Sequence, residues 1–218
     1  FFQTVDYGTV KNLYFANVNI SGSTNNNTDA IIVGAVAGTN NYGNIENCDV
    51  KSGKIGVYTY NAWIGGVVGF NCSGKVKDSD NLGVEIRGYG ILGGVVGLNS
   101  MGGTVNHCCS KSAIYYSYNT DNGSVGGIVG KNQFTAEVTN CTNSGKIKYE
   151  SASSNDAAIA PHMGQIIGWL VDGVQKNNVC SGTTDYLNLR TSAGGFLGIG
   201  AKNQKRYCST EEVGRTGE

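Results

Sequence analysis

Seven cysteines, two histidines and sixteen acidic residues are the side chains of this 218-residue chain that can ligate a metal, attack a carbonyl or carry a proton. Cys48, Cys108 and Cys141 each close a segment of the form Gly-x-Val-x-Asn-Cys, with Ser79 at the same place in the segment between the first two. That spacing permits a disulfide between Cys108 and Cys141, but it suits an internal row of small apolar side chains better, since free cysteine is among the most buried residue types. We therefore expect the three to be reduced and inward, with at least six free thiols in the chain. Zinc is not expected at His107-Cys108-Cys109, because consecutive strand residues point to opposite faces. His107 and His162 form no Ser-His-Asp or Cys-His arrangement by spacing. Asp78-Ser79-Asp80-Asn81-Leu82-Gly83 imitates the start of a calcium loop, but Leu82 and Tyr89 stand where ligands belong, so it reads as a solvated turn. No Gly-x-x-x-x-Gly-Lys-[Ser/Thr] phosphate loop occurs.

A glycosidase needs two carboxylates across a groove, and a lyase needs clustered acids with a base beside them. Glu46, Glu85, Glu137 and Glu150 are scattered, and of the four arginines Arg87 alone falls within the well-repeated part of the chain. We expect no enzyme, no cofactor and no metal; a polysaccharide lyase or glycoside hydrolase is the rival class. Aromatic residues give the stronger pointer. Tyr58, Tyr60, Trp63, Tyr115, Tyr116, Tyr118 and Tyr149 gather in equivalent stretches and, if stacked in register, form an exposed stripe able to recognise a glycan or a surface protein. The plainer reading is that tyrosine simply suits half-buried strands.

What must position these residues is a repeat. Glycine numbers 34 residues and proline one, charged residues are 15% and hydrophobic ones 39%. This excludes collagen, which needs both glycine and proline in a period of three, and a disordered linker, which lacks Val, Ile and Tyr. Sixteen basic residues balance sixteen acidic ones, which argues against a nucleic-acid partner or a polybasic membrane anchor. No apolar run is long enough for a membrane-spanning helix. The chain opens Phe1-Phe2-Gln3 without an initiator Met, so we expect a piece of something longer.

A block apolar-Gly-small-apolar-apolar-Gly recurs six times: Val33–Gly38, Ile64–Gly69, Leu92–Gly97, Val125–Gly130, Met163–Gly168 and Ala193–Gly198. Asparagine follows four of them at Asn40, Asn71, Asn99 and Asn132. The Gly-x-Val-x-Asn-Cys segment comes next, then a short β-prone run such as Val84-Glu85-Ile86. Nothing repeats every 3.6 residues, and glycine is a poor helix former. Asn and Gly take positive φ cheaply, as a solenoid corner demands. The chain is expected to be all-β: a single right-handed parallel β-solenoid of about six coils, each of three strands and roughly 32 residues. Residues 1–200 make up the repeats, with the first coil truncated, and 201–218 are a cap or a lead onward. The polar stretches at 21–29, 59–62, 118–124 and 151–158 are the expected loops.

Gly65-Gly66-Val67-Val68-Gly69-Phe70-Asn71 and Gly103-Thr104-Val105-Asn106-His107-Cys108 resemble the two halves of the GLUG-type repeat. The resemblance runs from about Gly8 to Gly200. It implies a non-catalytic repeat region of a large bacterial surface or secreted protein, a stalk or adhesive surface, located outside the cell. One expectation remains from the residues themselves. Strict alternation places Val68, Val96, Val129, Ile167 and Leu197 on one face of the glycine block and Val67, Val95, Ile128, Ile166 and Phe196 on the other. Two apolar rows require burial on both sides. The outer row should be covered by a loop or by self-association through the glycine-block face.

Overall fold

A computed structural model describes residues 1–23, 30–117, 123–150 and 162–187. The sixth glycine block, Tyr118, most of the expected loops at 21–29, 118–124 and 151–158, and the segment 201–218 lie outside the described residues. All the regular structure among the described residues is strand. Sheet A stacks Phe2–Asp6, Ala37–Asn41, Val68–Cys72, Val96–Ser100, Val129–Asn132 and Ile167–Leu170, every neighbour parallel. Sheet B stacks Thr9–Phe15, Asn44–Val50, Lys75–Lys77, Thr104–Asn106, Glu137–Thr139 and Val174–Lys176. Sheet C stacks Val18–Ser23, Gly53–Tyr58, Val84–Gly88, Ala113–Tyr116, Lys146–Glu150 and Thr183–Leu187. Sheet D has Ile31–Gly34, Ala62–Gly65, Ile91–Gly93, Ser124–Gly126 and His162–Gly164, and a three-stranded ribbon links B to C in the later coils. Within the described residues the chain passes A, B, C, D and returns to A one coil on, making five complete turns and the first three strands of a sixth: a parallel β-solenoid.

Each described coil thus has four principal strands rather than three, because the five described glycine blocks each hold a two-residue corner that divides them between a sheet D strand and a sheet A strand. Chain direction reverses between Ala62–Gly65 and Val68–Cys72, so Val67 and Val68 both point inward and both are fully buried, as are Val95 with Val96, Ile128 with Val129 and Ile166 with Ile167. The expectation of an outer apolar row fails for this reason, and neither loop nor second molecule is needed to cover it. Glycine closes the block because sheets A and D meet there through their backbones. A Cβ on Gly97 would lie 2.6 Å from the Gly69 carbonyl oxygen and 2.8 Å from the Ile64 nitrogen, closer than real Cβ atoms approach.

A second corner falls at the Asn of Gly-x-Val-x-Asn-Cys. Asn12, Asn47, Asp78, His107, Asn140 and Asn177 all have φ between 47° and 59°, which short polar side chains tolerate. This bend brings Ile45 and Cys48 to the same interior, where alternation alone would separate them. Cys48, Cys108 and Cys141 form the expected internal row, free and buried. Their thiols lie 3.2–3.3 Å from the carbonyls of Glu46, Asn106 and Thr139 in their own coils. Burial pushes the Cys108 thiol well above its ordinary value, with Cys141 beside it as the next cause. Cys180, by contrast, is disulfide-bonded, which lowers the expected number of free thiols. The Asp78–Gly83 stretch is not a solvated turn: Ser79 and Asn81 are buried, and the Asn81 carboxamide oxygen accepts from the Gly83 and Val84 N–H groups.

The interior also holds a column of amides. The Asn40 Nδ2 donates to Asn71 Oδ1, Asn71 Nδ2 to Asn99 Oδ1 and Asn99 Nδ2 to Asn132 Oδ1, each at 2.8 Å and between residues 31, 28 and 33 apart. Each Nδ2 also reaches a carbonyl at the start of the next strand of its own coil: Gly43, Gly74, Gly103 and Ala136. All four side chains are wholly buried, so each amide depends on its neighbours for the bonds that water would otherwise supply.

Two outcomes follow. Asn99→Ala leaves Asn132 Oδ1 and the Gly103 and Glu137 carbonyls without this donor, and urea unfolding should show a loss of about 1–3 kcal/mol with an unchanged m-value. Iodoacetamide labelling with peptide mapping should find Cys48, Cys108 and Cys141 unmodified in the native protein and modified after denaturation; native labelling of any of the three would contradict the buried row.

Candidate functional site

With the interior fixed, chemistry is confined to the outward residues of each sheet and to the corners. On sheet C the outward positions fall into columns. One runs Ser21, Gly56, Arg87, Tyr115 and Lys148 in strict register. Beside it lie Asn19, Lys54 and Glu85. The Arg87 guanidinium sits 3.9 Å over the Tyr115 ring. It donates from Nε to Glu85 at 2.7 Å and from Nη1 to Glu150 at 3.4 Å. Lys148 pairs with Glu150 at 3.1 Å, and Lys54 lies 3.9 Å from Glu85. Glu85 is the main cause that pushes the guanidinium pKa further up, with Glu150 contributing. The pairs are partly exposed, so they organise the surface more than they stabilise the fold.

The aromatic stripe expected from the sequence divides on this geometry. Tyr115 and Tyr116 are neighbours in one strand, so the first faces out under Arg87 and the second faces in. Tyr116 and Tyr149 are fully buried, paired in register with ring centres 6.0 Å apart. They are core residues. Tyr58 and Tyr60 are exposed and meet at Tyr89, with ring centres 5.7 and 5.9 Å from it. Trp63 stands apart on sheet D, edge-on to Phe70 of sheet A at 5.0 Å. Tyr118 lies outside the described residues. The structure therefore gathers Tyr58, Tyr60 and Tyr89 in one place and Tyr115, Arg87 and Lys148 in another.

Trp63 and Phe70 belong to a seam along the outer junction of sheets A and D. At its far end Trp169 stacks on His162 at 4.3 Å and carries the Lys131 ammonium 4.0 Å above its ring. Burial lowers the His162 pKa, and the nearby Lys131 charge lowers it further.

One further column emerges only from the fold. At the corner between sheets A and B, Tyr7, Tyr42, Ser73, Met101 and Phe134 occupy successive coils, all with φ between 50° and 56°. Four of them are large and outward: Tyr7 is 73% exposed, Tyr42 52%, Met101 55% and Phe134 54%. Tyr7 and Tyr42 stack with ring centres 5.0 Å apart and planes 2° from parallel. The other positive-φ corner is filled with Asn, Asp and His, residues that suit it. This one carries bulky apolar side chains in a conformation that costs them on the order of 1 kcal/mol or more each. The sequence signal was present, as a bulky residue before Gly8, Gly43 and Gly102, but it became meaningful only once both corners had the same backbone.

The family model described as the GLUG motif matches residues 121–148, the stretch holding the sheet D, A and B strands of one turn and the beginning of the next sheet C strand. No curated protein and no solved structure matches the chain significantly. Among the described residues no group of three or more His, Cys, Asp or Glu side chains is arranged to hold a metal ion, and no helix is long and apolar enough to cross a membrane.

The seam gives a pH dependence. His162 has a folded pKa below its ordinary 6.5, so the unfolded chain binds the proton more readily and stability falls as pH drops below about 6.5. His162→Gln should flatten that part of a chemical-denaturation profile measured between pH 7.5 and 5; an unchanged slope would show that His162 is not its source.

Proposed function

We propose that this chain is a non-catalytic repeat rod of a bacterial cell-surface or secreted protein, adhesin-like, with its binding chemistry carried on the outside of the coils. The observation that carries the reading is the apolar corner. A backbone corner needs nothing larger than Asn or Gly, and the equivalent corner is filled by polar Asn, Asp and one His. Bulky, exposed Tyr7, Tyr42, Met101 and Phe134 cost backbone energy and hydration without adding to the core, the pattern of a surface selected for contact rather than for folding. Aromatic and Met side chains are also those enriched where proteins recognise partners. The GLUG-motif match and the continuous interior support the rod, and the location outside the cell rests on the resemblance of the repeats.

A carbohydrate-active enzyme is the alternative. Its support is that Glu85 and Glu150, far apart in sequence, converge on Arg87. Both contact the same arginine, an arrangement that a surface ion-pair network accounts for equally well.

The two demands on the corner separate in one experiment. Met101→Asn and Phe134→Asn relieve the backbone cost, so each should leave stability unchanged or raise it by up to about 1 kcal/mol in urea unfolding. Binding of the same variants to an array of glycans and extracellular-matrix proteins should fall relative to wild type. Lower stability with unchanged binding would make the corner structural and remove the basis of the proposal; release of new reducing or unsaturated sugar ends from polysaccharide would instead establish the enzyme.

A further inference from the structure

Sheet C holds a feature that the corner ridge does not explain. In the outward column Ser21, Gly56, Arg87, Tyr115 and Lys148, only Gly56 lacks a side chain. The gap is a depression of about 240 Å³ lined by Asn19, Ser21, Lys54, Tyr58, Glu85 and Arg87, with Gly56 and Ile55 on its floor. Nothing in the backbone demands glycine here. Gly56 has no positive φ, and a Cβ would meet only a Tyr58 ring carbon at an ordinary 3.7 Å. A mid-strand glycine is itself unfavourable. Its absence of a side chain opens the depression, and the open space is what the position provides.

The lining has a definite chemistry. Tyr58 forms an apolar wall and is braced by Tyr89 at 5.7 Å. Asn19 and Ser21 bring an amide and a hydroxyl from the preceding coil. Glu85 is engaged by Arg87 at 2.7 Å, while Lys54 approaches it only to 3.9 Å and projects its ammonium into solvent. The bonds of Arg87 to Glu85 and Glu150 use Nε and Nη1, so Nη2 stands outside both. With Lys148 and Glu150, which join the network through Arg87, three cations stand against two carboxylates, so the cluster keeps one positive charge in excess. Its volume is below the roughly 300–1,000 Å³ of sites for drug-sized ligands. A single ring fits it, and the face of sheet C on either side leaves room for a chain to continue.

We propose that this depression binds an acidic sugar ring, a carboxylate-bearing pyranose of a glycan. The carboxylate pairs with Lys54 and Arg87, the hydroxyls bond to Glu85, Asn19 and Ser21, and the apolar face of the ring lies on Tyr58. Charge decides against a neutral sugar, since only an anion uses the excess cation. The assignment rests on the reading of the rod as a binding surface, but it occupies a different face from the corner ridge.

The test uses the intact chain and immobilised oligogalacturonate, sialyllactose and cellohexaose. Wild type should retain the two acidic glycans over cellohexaose, with retention weakening as salt rises. Gly56→Leu, which fills the depression, and Lys54→Gln, which removes its uncommitted charge, should each lower acidic-glycan binding about tenfold or more, with unchanged thermal unfolding. Met101→Asn and Phe134→Asn should leave it unaffected. Acidic-glycan binding that survives both Gly56→Leu and Lys54→Gln overturns the site while leaving a binding rod. Preference for cellohexaose overturns the charge assignment. Failure of wild type to retain either acidic glycan while it still binds other array members through the corner also overturns the site alone, and failure to bind anything overturns site and binding rod together.

Discussion

Four amides that no water can reach set the terms for the rest of the molecule. Asn40, Asn71, Asn99 and Asn132 sit in the core, and each hydrogen-bonds to its counterpart one coil away. A buried carboxamide left unpaired costs about as much as a well-packed aliphatic side chain contributes. A coil shifted by one residue would therefore lose its amide bonds and turn apolar side chains outward together. Register along the stack is thus enforced twice, by apolar burial and by a polar column that admits one alignment. At its ends the column meets Val5 and Leu170 in the neighbouring strands, and among the described residues no donor reaches Asn40 Oδ1.

Because the interior specifies the stack so fully, the exterior is free to vary. Outward positions of sheet C change from Ser to Gly, Arg, Tyr and Lys between coils without altering backbone pairing. The corner between sheets A and B goes further and accepts residues that its own φ disfavours. Stability is concentrated in the shared column and core, and the outer surface draws on that reserve.

Much of this architecture was legible in the sequence, and the part that was not has a common cause. Recurring Gly blocks at near-constant spacing fixed a repeat, the absence of a helical period made it β, and the cysteine row followed from equivalent positions. Alternation then misled wherever the chain turned. Strict alternation puts Val67 and Val68 on opposite faces, because a corner looks like a strand when read as letters. Tyr115 and Tyr116 show the converse: clustering in the sequence suggests one surface, but they are neighbours in a true strand and face opposite ways. The asparagines two positions after the glycine blocks look like turn residues, yet the turns are made by Asn12, Asn47, Asn140 and Asn177. Local preference cannot distinguish an Asn that bends the chain from one that bonds to its copy a coil away, since the partner is some thirty residues distant. Arg87 posed the same difficulty: Glu150 lies 63 residues on, and nothing nearer in sequence announces it.

The amide column also has a sense. Every link runs from the Nδ2 of one asparagine to the Oδ1 of the next toward the C-terminus, so the side-chain dipoles add rather than cancel. These bonds and the backbone pairs between coils lie along the stack, so tension applied from end to end loads the joint between two coils directly. At the three joints bridged by Asn40, Asn71, Asn99 and Asn132 the asparagine bond adds to the backbone pairs that must open, whereas the joints at either end of the column lack it. Under end-to-end tension the middle of the stack is therefore held more firmly than its two end joints.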